Sequence, residues 1–235
     1  MKDPKDEYEV FNLKRDLIHL DPNDEDARID LNIRLVARYP FLEMKGWDES
    51  KHSDFRSTWL DQMPIGWKKT LGIPLCEELR EELLRIDPSL LNTYRVSQVK
   101  EKYGTLRWYD SGSYSEEMDD ILTKYEDISK YTCTVCGKLN VPVFDDGWIS
   151  PFCTECYKEH FEKTEGKKAT DRNIKQYMIE EPGLTKDTII TIYNSKGKTE
   201  KRIDFSDTLR NLGVDPDNLP TIEEIIKKRE SEEDG

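Results

Sequence analysis

Two short phrases, Cys133-Thr134-Val135-Cys136-Gly137 and Cys153-Thr154-Glu155-Cys156, repeat the Cys-x2-Cys pair. Their separation falls within the roughly 15 to 20 residues expected of four-thiolate zinc sites. Each pair can turn two sulfurs toward one ion, and four thiolates complete a tetrahedral shell that leaves no position open for water or substrate. The chemistry expected is therefore one structural zinc ion held by Cys133, Cys136, Cys153 and Cys156, and iron fits the same donors. Gly137 can supply the positive-φ turn that aims backbone amides at the sulfurs. Two reduced pairs without metal, or a redox dithiol, are the alternatives. Such pairing suits thiolates in a reducing compartment better than a disulfide framework.

Other chemistry-bearing residues are weaker candidates. His160 follows Cys156 by one helical turn, but four thiolates already satisfy zinc, so it reads as a surface histidine. His19 and His52 stand alone. Cys76 falls on an apolar helix face and reads as a buried, inert thiol. The acidic pairs Glu77-Glu78, Glu81-Glu82, Glu116-Glu117 and Asp119-Asp120 lie on expected helix surfaces and read mostly as solvated faces, with a two-metal site as the remote alternative. No phosphate loop, dinucleotide fingerprint or nucleophile elbow is present, so no catalytic residue is expected. One basic and aromatic cluster remains: Arg95, Lys100, Lys102 and Arg107 with Tyr103, Trp108 and Tyr109. It is either a candidate clamp for a nucleic-acid strand or the solvated outer face of a sheet.

These candidates need elements to position them. Tyr94–Val99 and Thr105–Tyr109 read as two strands joined around Tyr103-Gly104, with a bulge where the alternation slips between Val96 and Val99. Met118, Ile121, Leu122, Tyr125 and Ile128 mark a serine-capped amphipathic helix, with glutamates in its first turn, that runs into the first cysteine pair. Val141–Ser150 reads as a small hairpin with its turn at Asp145-Asp146-Gly147, the geometry of a zinc ribbon. Upstream, a helix is expected over Asp24–Arg38 with Ile29, Ile33 and Val36 on one face. Trp47, Phe55, Trp59 and Trp67 then anchor an irregular wrap, and a helix from Pro74 to about Arg85 carries Cys76, Leu79, Leu83 and Ile86. Downstream, Tyr157–Asp171 is a charged helix or linker. A hairpin is expected from Thr188–Tyr193 and Thr199–Phe205 around Asn194-Ser195-Lys196-Gly197. Short helices at Asp207–Leu212 and Thr221–Lys228 and an acidic tail, Glu230–Gly235, complete the chain. The fold expected is α+β, a small antiparallel sheet flanked by helices. It divides into a core with N-terminal helices (1–130), the zinc ribbon (131–160) and a C-terminal extension with the hairpin (161–235).

The 36 Lys and Arg against 49 Asp and Glu leave a net charge of −13, a field that repels phosphate backbones. Nucleic acid is thus a partner only through a local basic patch. No stretch reaches the roughly 18 apolar residues of a membrane span, and the first residues lack the apolar core of a signal peptide, so a cytoplasmic protein is expected.

Several phrases together resemble uncharacterised zinc-ribbon proteins of bacteriophages and prophage-bearing bacteria. They are Arg38-Tyr39-Pro40-Phe41-Leu42, Met63-Pro64-Ile65-Gly66-Trp67, Gln98-Val99-Lys100-Glu101-Lys102-Tyr103-Gly104-Thr105-Leu106-Arg107-Trp108-Tyr109, and the cysteine pairs with Gly147-Trp148-Ile149 between them. The resemblance covers about Arg38 to Cys156. It implies a setting, not a mechanism: a non-enzymatic, zinc-stabilised protein in the host cytoplasm that grips a host protein, for instance as a counter-defence inhibitor. The alternative is a nucleic-acid-binding accessory protein that uses the ribbon and the 94–109 hairpin.

Overall fold

The computed structural model describes residues 4–21, 23–44, 54–112, 114–180, 183–185, 189–194, 197–202, 205–221 and 224–225. Trp47, His52, the turn residues Ser195 and Lys196 and the acidic tail lie outside these.

The chain opens with a helix that the charge-rich N-terminus concealed, α1 (Pro4–His19), which buries Leu13 and Leu17 one turn apart. Next, α2 (Glu25–Arg38) starts where the Asp24 side chain accepts from the Ala27 N–H, and the pre-proline residue Tyr39 ends it. Its buried face is Leu31, Leu35 and Arg38; of the expected stripe, Ile33 is exposed and Ile29 and Val36 are only half-buried. After a single-turn 3-10 helix at Trp59–Gln62, α3 (Ile65–Trp67) continues through a π-helical stretch, Lys68–Gly72, into α4 (Ile73–Ile86). Leu75, Cys76, Leu79 and Leu83 are fully buried, whereas Ile86 at the helix end is exposed. A short α5 (Leu90–Thr93) leads into the first sheet.

That sheet is a two-stranded antiparallel ribbon of β1 (Val96–Lys102) and β2 (Thr105–Asp110), with Tyr103 at φ 53° and Gly104 at φ 75°. Two successive positive φ values make the primed turn that suits the twist of paired strands. The register slips between Val96 and Gln98, as the sequence pattern indicates. Val96, Val99, Leu106 and Trp108 face inward, covered in part by α6 (Glu116–Lys130), which the Ser115 side chain caps at Met118 N–H. Between the cysteine pairs, β3 (Val143–Asp145) and β4 (Ile149–Pro151) pair antiparallel. The second pair then enters α7 (Thr154–Glu165), which ends at Gly166 in the left-handed conformation.

The chain returns through α8 (Asp171–Lys175) to β5 (Met178–Glu180), which adds to the other edge of β3 in the order β4-β3-β5. Farther on, β6 (Ile189–Asn194) pairs antiparallel with β7 (Gly197–Arg202), and α9 (Ser206–Asn211) follows. The architecture is thus α+β, helices with small antiparallel sheets. The main core joins Leu13, Leu31, Phe41, Trp67, Leu79, Val99 and Tyr125 with Phe205 and Leu209 from beyond residue 160. A smaller core packs Phe144, Tyr157, Phe161 and Ile174, with the Phe144 and Tyr157 rings stacked 3.7 Å apart. The 161–235 segment therefore contributes packing to both cores.

Polar groups cross-link the main core. Arg38 donates to both Glu77 oxygens, at 2.9 and 2.6 Å, and the Tyr39 hydroxyl donates to the same carboxylate at 2.7 Å. Glu78 accepts from Lys124, from the Tyr125 hydroxyl at 2.8 Å and from Thr208 on α9 at 3.0 Å. Glu77 and Glu82 are buried, so these two positions are not the solvated helix surface that their pairing on the sequence indicates. No described helix is long and apolar enough to cross a membrane.

Candidate metal centre

One sulfur from each of Cys133, Cys136, Cys153 and Cys156 lies within 4.8 Å of every other. A tetrahedral zinc–thiolate centre with Zn–S near 2.3 Å has S···S edges of about 3.8 Å. The Cys136–Cys153 sulfurs stand 3.7 Å apart, which matches one such edge, and the four sulfurs together could hold one metal ion. Cys133 and Cys153 are buried, Cys156 is half-buried and Cys136 reaches solvent.

Local hydrogen bonds build each half. In the first, the Cys133 N–H donates to Lys138 O at 2.8 Å and the Gly137 N–H to Cys133 O at 3.0 Å, with Gly137 at φ 80°. In the second, Cys153 is the N-cap of α7, and its sulfur accepts the Cys156 N–H at 3.5 Å. The Thr134 N–H donates to Pro151 O at 3.0 Å and ties the halves together. The Gly147 N–H closes the β3–β4 turn on the Asp145 carboxylate.

The thiols feel this arrangement differently. Burial pushes the Cys133 thiol up, but N–H groups of Cys136, Cys153 and Val135 outweigh it and hold the group below its ordinary value. Burial raises Cys153 to about 11, and burial also raises Cys156, with the neighbouring thiols adding to it. Four sulfurs this close cannot all carry charge unless a cation sits among them, and a coordinated cation reverses that balance by deprotonating its thiols outright.

A third contributor was not evident from the cysteine motif. The α3 segment and the π-helical stretch dock on the first knuckle through three donors. Gly66 N–H reaches Thr134 O at 2.8 Å, the Trp67 indole N–H reaches Thr132 O at 2.6 Å, and the Thr70 hydroxyl reaches Gly137 O at 3.0 Å. The approach is so close that a Cβ on Gly66 would lie 2.2 Å from Cys133 O, and one on Gly137 would lie 2.1 Å from the Thr70 hydroxyl. The only hint in the sequence is a glycine beside a tryptophan in Met63-Pro64-Ile65-Gly66-Trp67.

His160 is not among the metal donors. Its Nε2 lies 3.0 Å from the Asp146 carboxylate, and its ring stacks on Phe152, so it pins α7 to the β3–β4 turn. Cys76 is fully buried, and burial pushes its thiol well above the ordinary value.

The basic and aromatic cluster divides. Trp108 leaves it: the ring is buried against Phe41, and its indole N–H donates to the Tyr94 hydroxyl at 3.0 Å, because the β1–β2 register points it inward. Arg107 is ion-paired with Glu126 of α6 at 2.8 Å, and Arg95 donates to the backbone of Tyr94. Lys100 lies 5.0 Å from the Tyr109 ring centroid and Lys102 lies 5.4 Å from that of Tyr103. Tyr103 is 70% exposed and Tyr109 42%. Compared with protein-family models, with curated proteins and with solved structures, the chain matches none.

Proposed function

We propose that this chain is a non-enzymatic, zinc-stabilised binding protein of phage type that acts in the host cytoplasm by gripping a host protein, such as a component of host defence. The observation that carries the reading is the convergence of four cysteine sulfurs into one set, enough thiolates to fill a tetrahedral shell. In this reading β3, β4 and the two knuckles are a zinc ribbon, and the metal's task is mechanical. It fixes α7 and the knuckle against the Ile65–Gly72 segment, as structural zinc contributes directly to folding free energy. The β6–β7 pair is a C-terminal hairpin that offers a further contact surface. The resemblance over Arg38 to Cys156 supplies the phage setting, and the charge of −13 suits competition for host surfaces built to receive nucleic acid.

Native mass spectrometry of the purified protein, alone and with host lysate fractions, tests both parts. The expected spectrum carries one zinc, lost in Cys133→Ser and Cys153→Ser, and a defined complex with one host protein. A metal-free mass overturns the zinc reading. Turnover of a substrate by the purified protein, with no specific protein partner, overturns the binding reading.

A further inference from the structure

The tip of the β1–β2 ribbon does not stand free. A Cβ built on Gly104 would lie 3.2 Å from Ile149 Cγ2 and 3.5 Å from Pro151 Cδ, so the Tyr103-Gly104 turn rests directly on β4. The residue next to Ile149 is Trp148, which is 66% exposed, and the residue next to Gly104 is Tyr103. Two residues with large, exposed aromatic side chains, far apart in sequence, thus adjoin one contact between the ribbon and the unit that carries the four cysteines. Chain geometry places their Cα atoms within roughly 15 Å of each other. On the β1–β2 face opposite Val99, Leu106 and Trp108, Lys100 and Lys102 each approach an exposed tyrosine ring. Among the described residues neither lysine is ion-paired with a carboxylate. Two acids of this region are engaged elsewhere, Glu126 with Arg107 and Glu101 with the Gly104 N–H.

We infer that Tyr103, Trp148 and Tyr109 with Lys100 and Lys102 form one docking surface for single-stranded nucleic acid, going beyond the protein-binding role proposed above. Exposed rings are sequence-tolerant stacking platforms for bases, and ammonium groups free of carboxylates beside them, Lys100 donating only to the neutral Gln98 amide oxygen at 2.8 Å, match the phosphates between those bases. The complementarity is local: a cationic, aromatic patch on a chain whose overall charge repels polyanions. It is also composite, since the closed metal centre holds β4 and therefore Trp148 in place beside the turn. Trp108 and Arg107 take no part, one being core and the other ion-paired.

The test is fluorescence anisotropy of a labelled oligothymidylate with the zinc-loaded full chain at low and moderate salt. Tyr103→Ala and Trp148→Ala should each weaken binding on the order of ten-fold. Lys100→Gln with Lys102→Gln should lower the slope of log affinity against log salt by about 1.4, about 0.7 for each lost phosphate contact. Tyr8→Ala, which removes an equally exposed ring from α1, should bind as the unmodified protein does. All of these side chains are at the surface, and retained zinc with an unchanged circular dichroism spectrum reports that the variants fold. Absence of binding at low salt overturns the inference, as does wild-type affinity in both Tyr103→Ala and Trp148→Ala. Equal competition by an acidic peptide overturns the nucleic-acid assignment and makes the surface a site for an acidic protein segment.

Discussion

The indole N–H of Trp67 donates to the carbonyl oxygen of Thr132 at 2.6 Å, with the ring fully buried. Thr132 precedes the first of the four clustered cysteines, so this bond joins the main hydrophobic core to the candidate metal centre. Gly66 and Thr70 repeat the connection on either side, and the metal unit and the α3–α4 helix become one mechanical piece.

Trp67→Phe should keep most of the packing but leave the Thr132 carbonyl buried without its donor. A loss of about 2–4 kcal/mol is expected, from the unmade bond and the missing ring volume. Chemical denaturation measures it, and zinc released at lower denaturant than in the unmodified protein would show that the same bond supports the centre.

Gly66→Ala and Gly72→Ala form a contrasting pair in one continuous helical stretch. The first places a methyl 2.2 Å from Cys133 O and should disrupt docking of the knuckle, with a melting temperature lower by 10 °C or more, at roughly 2–4 °C per kcal/mol. At Gly72 the nearest atoms are Leu60 side-chain carbons at 3.4 Å, so the methyl is accommodated and stability should stay within about 1 kcal/mol.

Removal of the metal should cost far more than a surface change. With a strong chelator, or in Cys153→Ser, the Phe144–Tyr157–Phe161 core should lose the proposed metal link between α7 and β4. Amide exchange over residues 132–165 should then accelerate by orders of magnitude while α4 stays protected. Uniform protection in the metal-free protein would show that the small core holds without the ion.

The buried Arg38–Glu77 pair should behave asymmetrically. Glu77→Leu alone removes the bidentate partner of a guanidinium that is almost wholly buried, leaving it the exposed Glu9 carboxylate at 3.3 Å, and should cost about 2–4 kcal/mol, whereas Arg38→Met with Glu77→Leu should recover much of that loss. Thermal melts of the two single variants and the double variant close the cycle.

Asp127 sets a pH dependence. Burial, helped by the charge of Glu126, pushes its carboxyl up to about 6. Between about pH 4 and 6 the folded protein therefore holds a proton that the unfolded chain has released. This contribution to stability is full below that window and is lost as the pH rises through it. Asp127→Asn should flatten the decline and raise stability at pH 7 by on the order of 1–3 kcal/mol, read from melts across pH 4–8.

Much of this protein was settled locally. The cysteine spacing named four residues whose sulfurs do converge, because two-residue knuckles are short-range geometry. The positive-φ turn at Tyr103-Gly104, the register slip after Val96, the Ser115 cap and the β3–β4 turn at Gly147 are likewise short-range, each fixed by neighbouring residues. What needed the tertiary structure was partnership across distance. Ile33 and Ile86 look apolar enough for a core, yet lie outside it, while Arg38 and Glu77 lie inside because each neutralises the other. Trp108 and Tyr109 are adjacent and chemically alike, and only the pairing register decides which ring is buried. The docking of Gly66, Trp67 and Thr70 on the knuckle, and of Gly104 on Ile149, is invisible to periodicity. It depends on which surfaces remain to be covered once the helices have packed, a choice made by the whole chain's need to bury apolar area and satisfy its carbonyls.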